Sequence, residues 1–337
     1  MGRALEGRVA LVTGASQGGI GTAIALRCAA EGARVAVSGR SVEGLEACAA
    51  EITTAGGTGV VLPADLGDPA GARTTLVADT EAALGPLDVL VNSAAVNGYR
   101  PFESFTRDDI LRVYEVNVVA PWLLMTDAIA GMRERGRGWI LNLTSFAAEL
   151  PWGPPFPDNL PSKGGSLYGS SKAALNRLTV AAASECEGQG IAVNTLTPQA
   201  AALTKRLASA GSGFSFDDAM FEPLETMAEA ALALVTGDPE QLTARLAFSL
   251  QLLVELQRPV HDLAGRELVD GWQPADLPAV IDRQSAALAA RGWPHPFAFG
   301  RPHSPTPSSA GERWTRGSRS NGRSRPRCTR GSPPTTA

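Results

Sequence analysis

A chain of 337 residues, 44% of them hydrophobic and 19% charged, can bury a full-sized core, and its four Cys show no CxxC spacing on which a disulfide framework or zinc site could rest. The net charge of -4 is uneven, because residues 301–337 carry eight Arg and one Glu; residues 1–300 therefore hold -11 and offer no nucleic-acid platform. The three His (His261, His295, His303) come late, which argues against a Ser-His-Asp hydrolase, and no apolar run reaches the roughly 18 residues of a membrane span.

The N-terminus runs into an apolar strand without a charged leader, so a soluble, cytoplasmic protein is expected. That strand, residues 9–12 (Val-Ala-Leu-Val), leads into Thr13-Gly14-Ala15-Ser16-Gln17-Gly18-Gly19-Ile20-Gly21, after which Ala23, Ile24, Leu26 and Ala30 keep helical spacing. Strand, glycine turn and helix are what a phosphate loop requires. Glycines let the main chain turn sharply and approach a pyrophosphate, and the helix presents its free N–H groups to the anion. A tight turn that needs glycine for its own sake is the alternative.

The unit then repeats. Residues 34–38 read as a second strand, 42–55 as a helix, 59–62 as a third strand and 69–83 as a helix; strands follow at 87–91, 139–143 and 191–194. Apolar strands alternating with helices predict an α/β fold, a doubly wound parallel (Rossmann) sheet covered on both faces, with ligands at the carboxyl ends of the strands. After the second strand stands Gly39-Arg40-Ser41. An acidic residue there would bind the ribose 2′-hydroxyl of NAD, whereas Arg40 attracts a 2′-phosphate, so NADP is expected and NAD is the second choice. Asp65, after the third strand, either reaches the adenine or simply opens a helix.

Tyr168-Gly169-Ser170-Ser171-Lys172 heads an apolar-periodic run (Ala173, Ala174, Leu175, Leu178, Ala181) that reads as a buried helix, and a four-residue spacing puts the phenol and the ammonium on one face. The ammonium is expected to favour phenolate, bringing a hydroxyl with a free pKa of about 10 closer to neutrality as a proton donor and acceptor. With three Tyr and three Lys in the chain, chance supplies this spacing only about 0.03 times, which favours chemistry over a surface helix.

With Asn92-Ser93-Ala94-Ala95 after the fourth strand, Asn117 within Val116-Asn117-Val118 and Ser145 after the fifth strand, these motifs stand in one familiar order. The chain resembles the short-chain dehydrogenases/reductases over about residues 5–250. The resemblance implies that Tyr168 is the general acid/base, that Ser145 hydrogen-bonds the substrate oxygen, that Lys172 holds the nicotinamide ribose, and that Asn117 anchors a proton-relay water. It further implies a cofactor site formed by Gly14, Ser16, Gly19, Ile20, Gly21, Arg40, Ser41, Asp65, Asn92, Ala94 and Pro198 with Tyr168 and Lys172, no metal, and a homodimer or homotetramer built through the helices bearing Asn117 and Tyr168.

Four departures from the family pattern matter. The glycine loop is one residue longer, leaving open whether Gly18 or Gly19 faces the pyrophosphate; Ser93 and Ala95 replace Asn and Gly; and Gln199 follows Pro198 where glycine is usual. Residues 146–167 form a long segment with Pro151, Pro154, Pro155, Pro157, Pro161, Trp152 and Phe156, either a substrate lid or a loop turned away. Residues 204–224, with Leu207, Phe214, Phe216, Met220 and Phe221, occupy the family's variable substrate segment and suggest a hydrophobic carbonyl or alcohol. Residues 242–248 read as the last strand, closing the dinucleotide-binding domain near residue 250; 251–300 form an extension, and 301–337 a basic, disordered tail. The function expected is an NADP(H)-preferring carbonyl reductase or alcohol dehydrogenase, against the rival of a non-catalytic dinucleotide sensor.

Overall fold

In the computed structural model of this chain, residues 3–16, 18–150, 154, 156, 163–204 and 218–290 are described. Nine strands run in chain order: β1 (Val9–Thr13), β2 (Arg34–Gly39), β3 (Thr58–Pro63), β4 (Val89–Asn92), β5 (Gly138–Leu143), β6 (Ile191–Thr197), β7 (Ala201–Ala202), β8 (Phe221–Glu222) and β9 (Leu246–Phe248). Seven of them make one sheet in the order β3-β2-β1-β4-β5-β6-β9, and β7 pairs with β8 separately. Every neighbouring pair in the large sheet is parallel. The strand order reverses between β1 and β4, which opens a crevice between the loops that leave those two strands.

Period-2 alternation decides which helices cover which face. Ala10, Val12, Val35, Val37, Val89, Val91, Trp139 and Leu141 point to one side, where Ile24 of α1 (Ile20–Ala30), Leu45 of α2 (Val42–Thr54) and Met227 of α7 (Leu224–Thr236) meet them. Val9, Leu11, Ala36, Leu90, Ile140 and Val193 point to the other side. There they meet Leu76 of α3 (Leu76–Leu84), Leu124 and Met132 of α5 (Ala120–Arg135), and Ala183 of α6 (Ser166–Glu185). Between α3 and α5 stands α4 (Arg107–Tyr114), and after α7 come α8 (Ser249–Glu255) and α9 (Leu277–Ala289).

Local chemistry moves several boundaries. The helix expected over 69–83 is a 3₁₀ turn, Ala72–Thr74, followed by α3. Asp68 accepts a hydrogen bond from the Ala70 amide at 3.0 Å, a local turn that competes with helix next to Pro69. The last strand is short because Ala244 takes the left-handed conformation (φ 57°) and interrupts the ladder. Asn194 of β6 bridges the gap, donating to the Leu242 carbonyl at 2.8 Å and accepting from the Arg245 amide at 2.9 Å.

The chain does not change body at residue 250. Leu250 and Leu253 of α8, Val260, and Leu277 and Val280 of α9 belong to the same core as β1 and α7. Buried Glu229 of α7 accepts from Arg27 of α1 at 3.0 Å and from Arg258 at 2.7 Å, stitching the segment after α8 to the first helix. All described residues lie in one compact unit; the tail expected at 301–337 lies outside them. Among the described residues no helix is long and apolar enough to cross a membrane.

Candidate active site

The turn after β1 is shaped by what glycine lacks. Gly14 has φ +71°, and a Cβ there would stand 2.7 Å from the backbone of Ala94, in the loop that leaves β4. A Cβ on Gly21 would lie 2.6 Å from the Gly14 carbonyl oxygen. The two loops at the crevice therefore touch main chain to main chain. Thr13 fastens them, its hydroxyl accepting from the amides of Ser93 (3.1 Å) and Ala94 (3.2 Å). Ser93 and Ala95 stand where larger or more flexible residues were the family pattern, and this close approach accounts for small side chains at least at Ser93, whose Oγ is 3.1 Å from a Cβ at Gly21.

Gly18 and Gly19 divide the work of the longer loop. Gly18 adopts φ 61°, and its amide donates to Thr22 at 3.1 Å. Gly19 is extended at the N-cap of α1, just before Ile20, and among the described residues a Cβ there would meet only the Thr204 methyl at 3.9 Å. The first turn of α1 thus keeps an open approach to its N–H groups, a cradle that suits a pyrophosphate.

Ser16 extends the cradle to the end of β2. A Cβ on Gly39 would lie 2.9 Å from the Ser16 hydroxyl, and one on Gly44 would lie 1.7 Å from the Ser16 carbonyl oxygen. Ser41 caps α2 by accepting from the Gly44 amide, and Arg40 beside it is exposed. Asp65, across from them, is already engaged: it accepts both of its oxygens' bonds from Arg112 at 2.8 and 2.9 Å and a third from the Gly67 amide at 2.9 Å. Against the desolvation that raises it, these bonds and the charges of Arg112 and Arg40 hold its carboxyl below the usual range. Asn92 points inward rather than to the crevice. It donates to Asn142 at 2.8 Å, and Asn142 in turn donates to Thr179 of α6 at 2.9 Å, a buried chain that ties β4 to β5 and α6.

The second half of the site gathers at the ends of β5 and α6. Ser145 follows β5 and caps a short turn, accepting from the Ala147 amide at 3.2 Å, and it is hydrogen-bonded to the Tyr168 phenol. Gly169 lets α6 approach that turn, since a Cβ there would stand 2.4 Å from the Ala147 carbonyl oxygen. Lys172 is 2% exposed and donates to the Leu143 carbonyl at 2.7 Å, with its Nζ 5.8 Å from the Tyr168 ring centroid. Burial pushes the Lys172 ammonium down to about 8. Burial also pushes the Tyr168 phenol up, Tyr99 adds to this, and the bond to Ser145 offsets part of it. The expected acidification of Tyr168 by Lys172 is thus reversed in direction here, because the ammonium is turned to a main-chain carbonyl and desolvation outweighs it.

Asn117 sits in a π-helical turn, Glu115–Val119, between α4 and α5. Its carboxamide is spent on structure: Oδ1 accepts from the Val96 amide at 2.8 Å, while Nδ2 donates to the Val96 carbonyl and to Ser171, both at 2.9 Å. π-turns of this kind are frequent at functional sites. Pro198 lies just past β6, and the Gln199 that follows it is fully buried, its amide donating to Glu222 at 2.6 Å and to Ser249 at 3.0 Å. Sequence reasoning missed Glu222, Ser249 and Tyr99; only the departure at Gln199 hinted at the first two. Of the Pro-rich segment, Trp152 and Pro151, Pro155, Pro157 and Pro161 lie outside the described residues, as do Leu207, Phe214 and Phe216; Phe156 is exposed.

The structure thus packs Gly14 and Gly21 against Ala94 and Ser93, sets Ser16 against Gly39 and Gly44 beside Ser41, and gathers Ser145, Tyr168 and Lys172 where β5 ends and α6 begins. Comparison with known proteins identifies the family. The family described as short chain dehydrogenase matches residues 8–213. A short chain dehydrogenase of Pseudocercospora fijiensis is 36% identical over 196 residues, which are 58% of this chain and 60% of that relative's length. Among solved structures, a metagenomic short-chain oxidoreductase in complex with NADP superposes with a TM-score of 0.59 at 30% identity, covering 72% of this chain and 97% of the other. A 3-oxoacyl (acyl-carrier-protein) reductase from Agrobacterium tumefaciens C58 with NADP bound gives 0.63 at 27% identity, covering 72% and 93%. The chain, which spans about 60% of the length of the Pseudocercospora fijiensis relative, belongs to the short-chain dehydrogenase family.

Proposed function

We propose that this protein is an NADP(H)-preferring carbonyl reductase or alcohol dehydrogenase with a hydrophobic ketone or alcohol as substrate. The observation that carries the reading is the Ser145–Tyr168 hydroxyl pair at the mouth of β5, with a buried Lys172 behind it and a glycine cradle at the other end of the same crevice. A nicotinamide dinucleotide, when bound, supplies or accepts the hydride. The chain's own residues do the rest. Gly19, Ile20 and the first turn of α1 receive the pyrophosphate, with Gly14 and Gly21 keeping the loop close to Ala94. Ser16, Arg40 and Ser41 surround the adenosine end, where an exposed guanidinium favours a 2′-phosphate.

At the reacting end, Ser145 donates to the substrate oxygen and Tyr168 delivers the proton to it. Because burial keeps the phenol protonated through neutral pH, Tyr168 is set as a donor, which suits reduction. Lys172, whose ammonium donates to the Leu143 carbonyl, is the group that would hold the nicotinamide ribose. The Asn117 carboxamide is taken up by Val96 and Ser171, so its part in the site is to fix the loop after β4 and α6. Asp65 and Asn92 take structural parts in this scheme, one locking α4 and the other the sheet centre, and Pro198, just past β6, would contribute to the nicotinamide side of the site. Exposed Val119, Trp122 and Leu123 on the helical stretch bearing Asn117 suit a homodimer or homotetramer.

The decisive experiment measures oxidation of NADPH and of NADH over a panel of ketones and aldehydes, for the wild type and for Tyr168→Phe. Activity with NADPH over NADH, lost about a thousandfold in Tyr168→Phe with cofactor affinity kept, is the expected result. A wild type that binds NADPH and reduces nothing in the panel would instead favour a dinucleotide sensor.

A further inference from the structure

Glu222 ends β8 and is 1% exposed, and a carboxyl that deep persists only where its neighbours compensate it. Three donors do so. The Ser249 hydroxyl stands 2.8 Å from both carboxyl oxygens, the Thr226 hydroxyl donates at 2.6 Å, and the Gln199 main-chain amide donates at 2.6 Å. The same amide reaches the Ser249 hydroxyl at 3.0 Å, and the Gln199 side-chain oxygen accepts from the Gln251 amide at 3.3 Å. Ser249 opens α8 and Thr226 lies in the first turn of α7, so one carboxyl joins β8 and two helices to the turn that leaves β6.

The place of that turn gives the carboxyl a bearing on the chemistry. Thr197 ends β6 and Thr144 follows β5; their hydroxyls are 2.7 Å apart, and the Thr144 amide donates to the Leu196 carbonyl at 2.9 Å. Ser145 is the next residue after Thr144, and Pro198 the next after Thr197. Phe146 follows Ser145, Ala200 follows Gln199 and Phe248 precedes Ser249, and these three pack with Met220 in one apolar cluster. The turn after β6 is thereby bonded on one side to Glu222 and on the other to the end of β5, where Ser145 stands. We propose that Glu222 is a positioning residue: by holding the Gln199 amide it sets the Pro198–Gln199 main chain against Ser145, and with it the nicotinamide side of the site. The inference rests on the reductase reading above and deepens it. Hydride transfer is steep in distance and angle, whereas the glycine cradle at the other end receives the pyrophosphate, so a loosened turn should cost rate rather than cofactor affinity.

The test measures kcat with the ketone of the panel that the wild type reduces fastest, the NADPH dissociation constant, and amide hydrogen exchange of residues 198–204 in the unliganded protein. It compares the wild type with Glu222→Ala, Glu222→Gln, Ser249→Ala and Ile52→Ala. Ile52, buried at the end of α2 near the start of β3 and so at the opposite end of the strands, controls for lost stability. Glu222→Ala should lower kcat about thirtyfold with NADPH dissociation kept within about threefold, and should speed exchange over 198–204. Glu222→Gln, whose carboxamide oxygen still accepts the Gln199 amide, should recover most of both, and Ile52→Ala should keep its kcat. If Glu222→Ala yields no folded protein, Ser249→Ala decides: it removes one donor, leaves the carboxyl, and should lower kcat about fivefold with faster exchange over 198–204. A kcat within about twofold of the wild type in the deciding variant overturns the role of Glu222, as does an Ile52→Ala variant that loses as much or a Glu222→Gln variant that recovers nothing. A wild type that binds NADPH but reduces nothing in the panel overturns the reductase reading itself and takes this inference with it.

Discussion

The two ends of the crevice are built by opposite means. Around Gly14 and Gly21 the chain approaches itself backbone to backbone, and specificity comes from side chains that are missing. On the β6 side, where a glycine is usual, Gln199 is buried among Glu222, Ser249 and the Gln251 amide, and Thr226 donates to Glu222 at 2.6 Å; polar side chains fill the place of empty space. The first construction tolerates almost no added atom, whereas the second depends on a protonation state. Geometry limits one end and pH the other.

Three substitutions break or sharpen that contrast. Gly14→Ala should do most damage, because it combines a left-handed backbone with a Cβ 2.7 Å from Ala94 main chain. A loss of about 3–5 kcal/mol in denaturant unfolding is expected, and a loss below about 1 kcal/mol would show that the loops can part at little cost. The second concerns Glu222, whose carboxyl desolvation pushes up to about 7 against the hydrogen bonds of Thr226, Ser249 and Gln199. A carboxyl raised in the folded state binds its proton more tightly there than in the unfolded chain. Its contribution is therefore complete below the unfolded value near 4.5 and is lost as pH rises through about 7. The wild type should lose up to about 3 kcal/mol between those limits, and Glu222→Gln should flatten the slope of unfolding midpoint against pH. Equal slopes in both proteins would remove Glu222 from the account.

Gly19→Ala is the smallest change and the sharpest contrast with Gly14→Ala. With only the Thr204 methyl, among the described residues, at 3.9 Å from the new Cβ, stability should move by no more than about 0.5 kcal/mol while NADPH binding weakens about tenfold. Titration calorimetry beside an unfolding curve reads both quantities. If stability falls as far as in Gly14→Ala, Gly19 is a structural glycine and the cradle lies elsewhere.

This division also explains what could be read from the sequence. The strands, the glycine turn and the Tyr-Lys spacing are local patterns, and each was legible because a period or a short motif encodes it: alternation in Val9 to Val12, four residues from Tyr168 to Lys172. The direction of the Tyr168 shift was not legible, since it depends on how deeply folding buries the phenol, and the Lys172 ammonium was drawn to a carbonyl of β5. Asn117 was singled out as a site residue, but nothing local says that its carboxamide is used up on Val96, 21 residues away. Glu222, Ser249 and Tyr99 carry no motif at all; Gln199 stands 23 positions from Glu222 and 50 from Ser249, Tyr168 stands 69 from Tyr99, and only folding introduces them. The helix expected over 69–83 failed for a local reason that was present in the sequence, the turn-forming Asp68 beside Pro69.

Glu229 has a consequence for how the chain is made. Its first cation, Arg27, precedes it by 202 residues, but its second, Arg258, is 29 residues later. On a ribosome, then, α7 can dock on α1 with only half of its charge compensation in hand, and the remainder waits until the segment beyond α8 has been synthesised. The stretch beyond α8 thereby completes, last in the order of synthesis, the ion pairing that joins the first helix to the seventh.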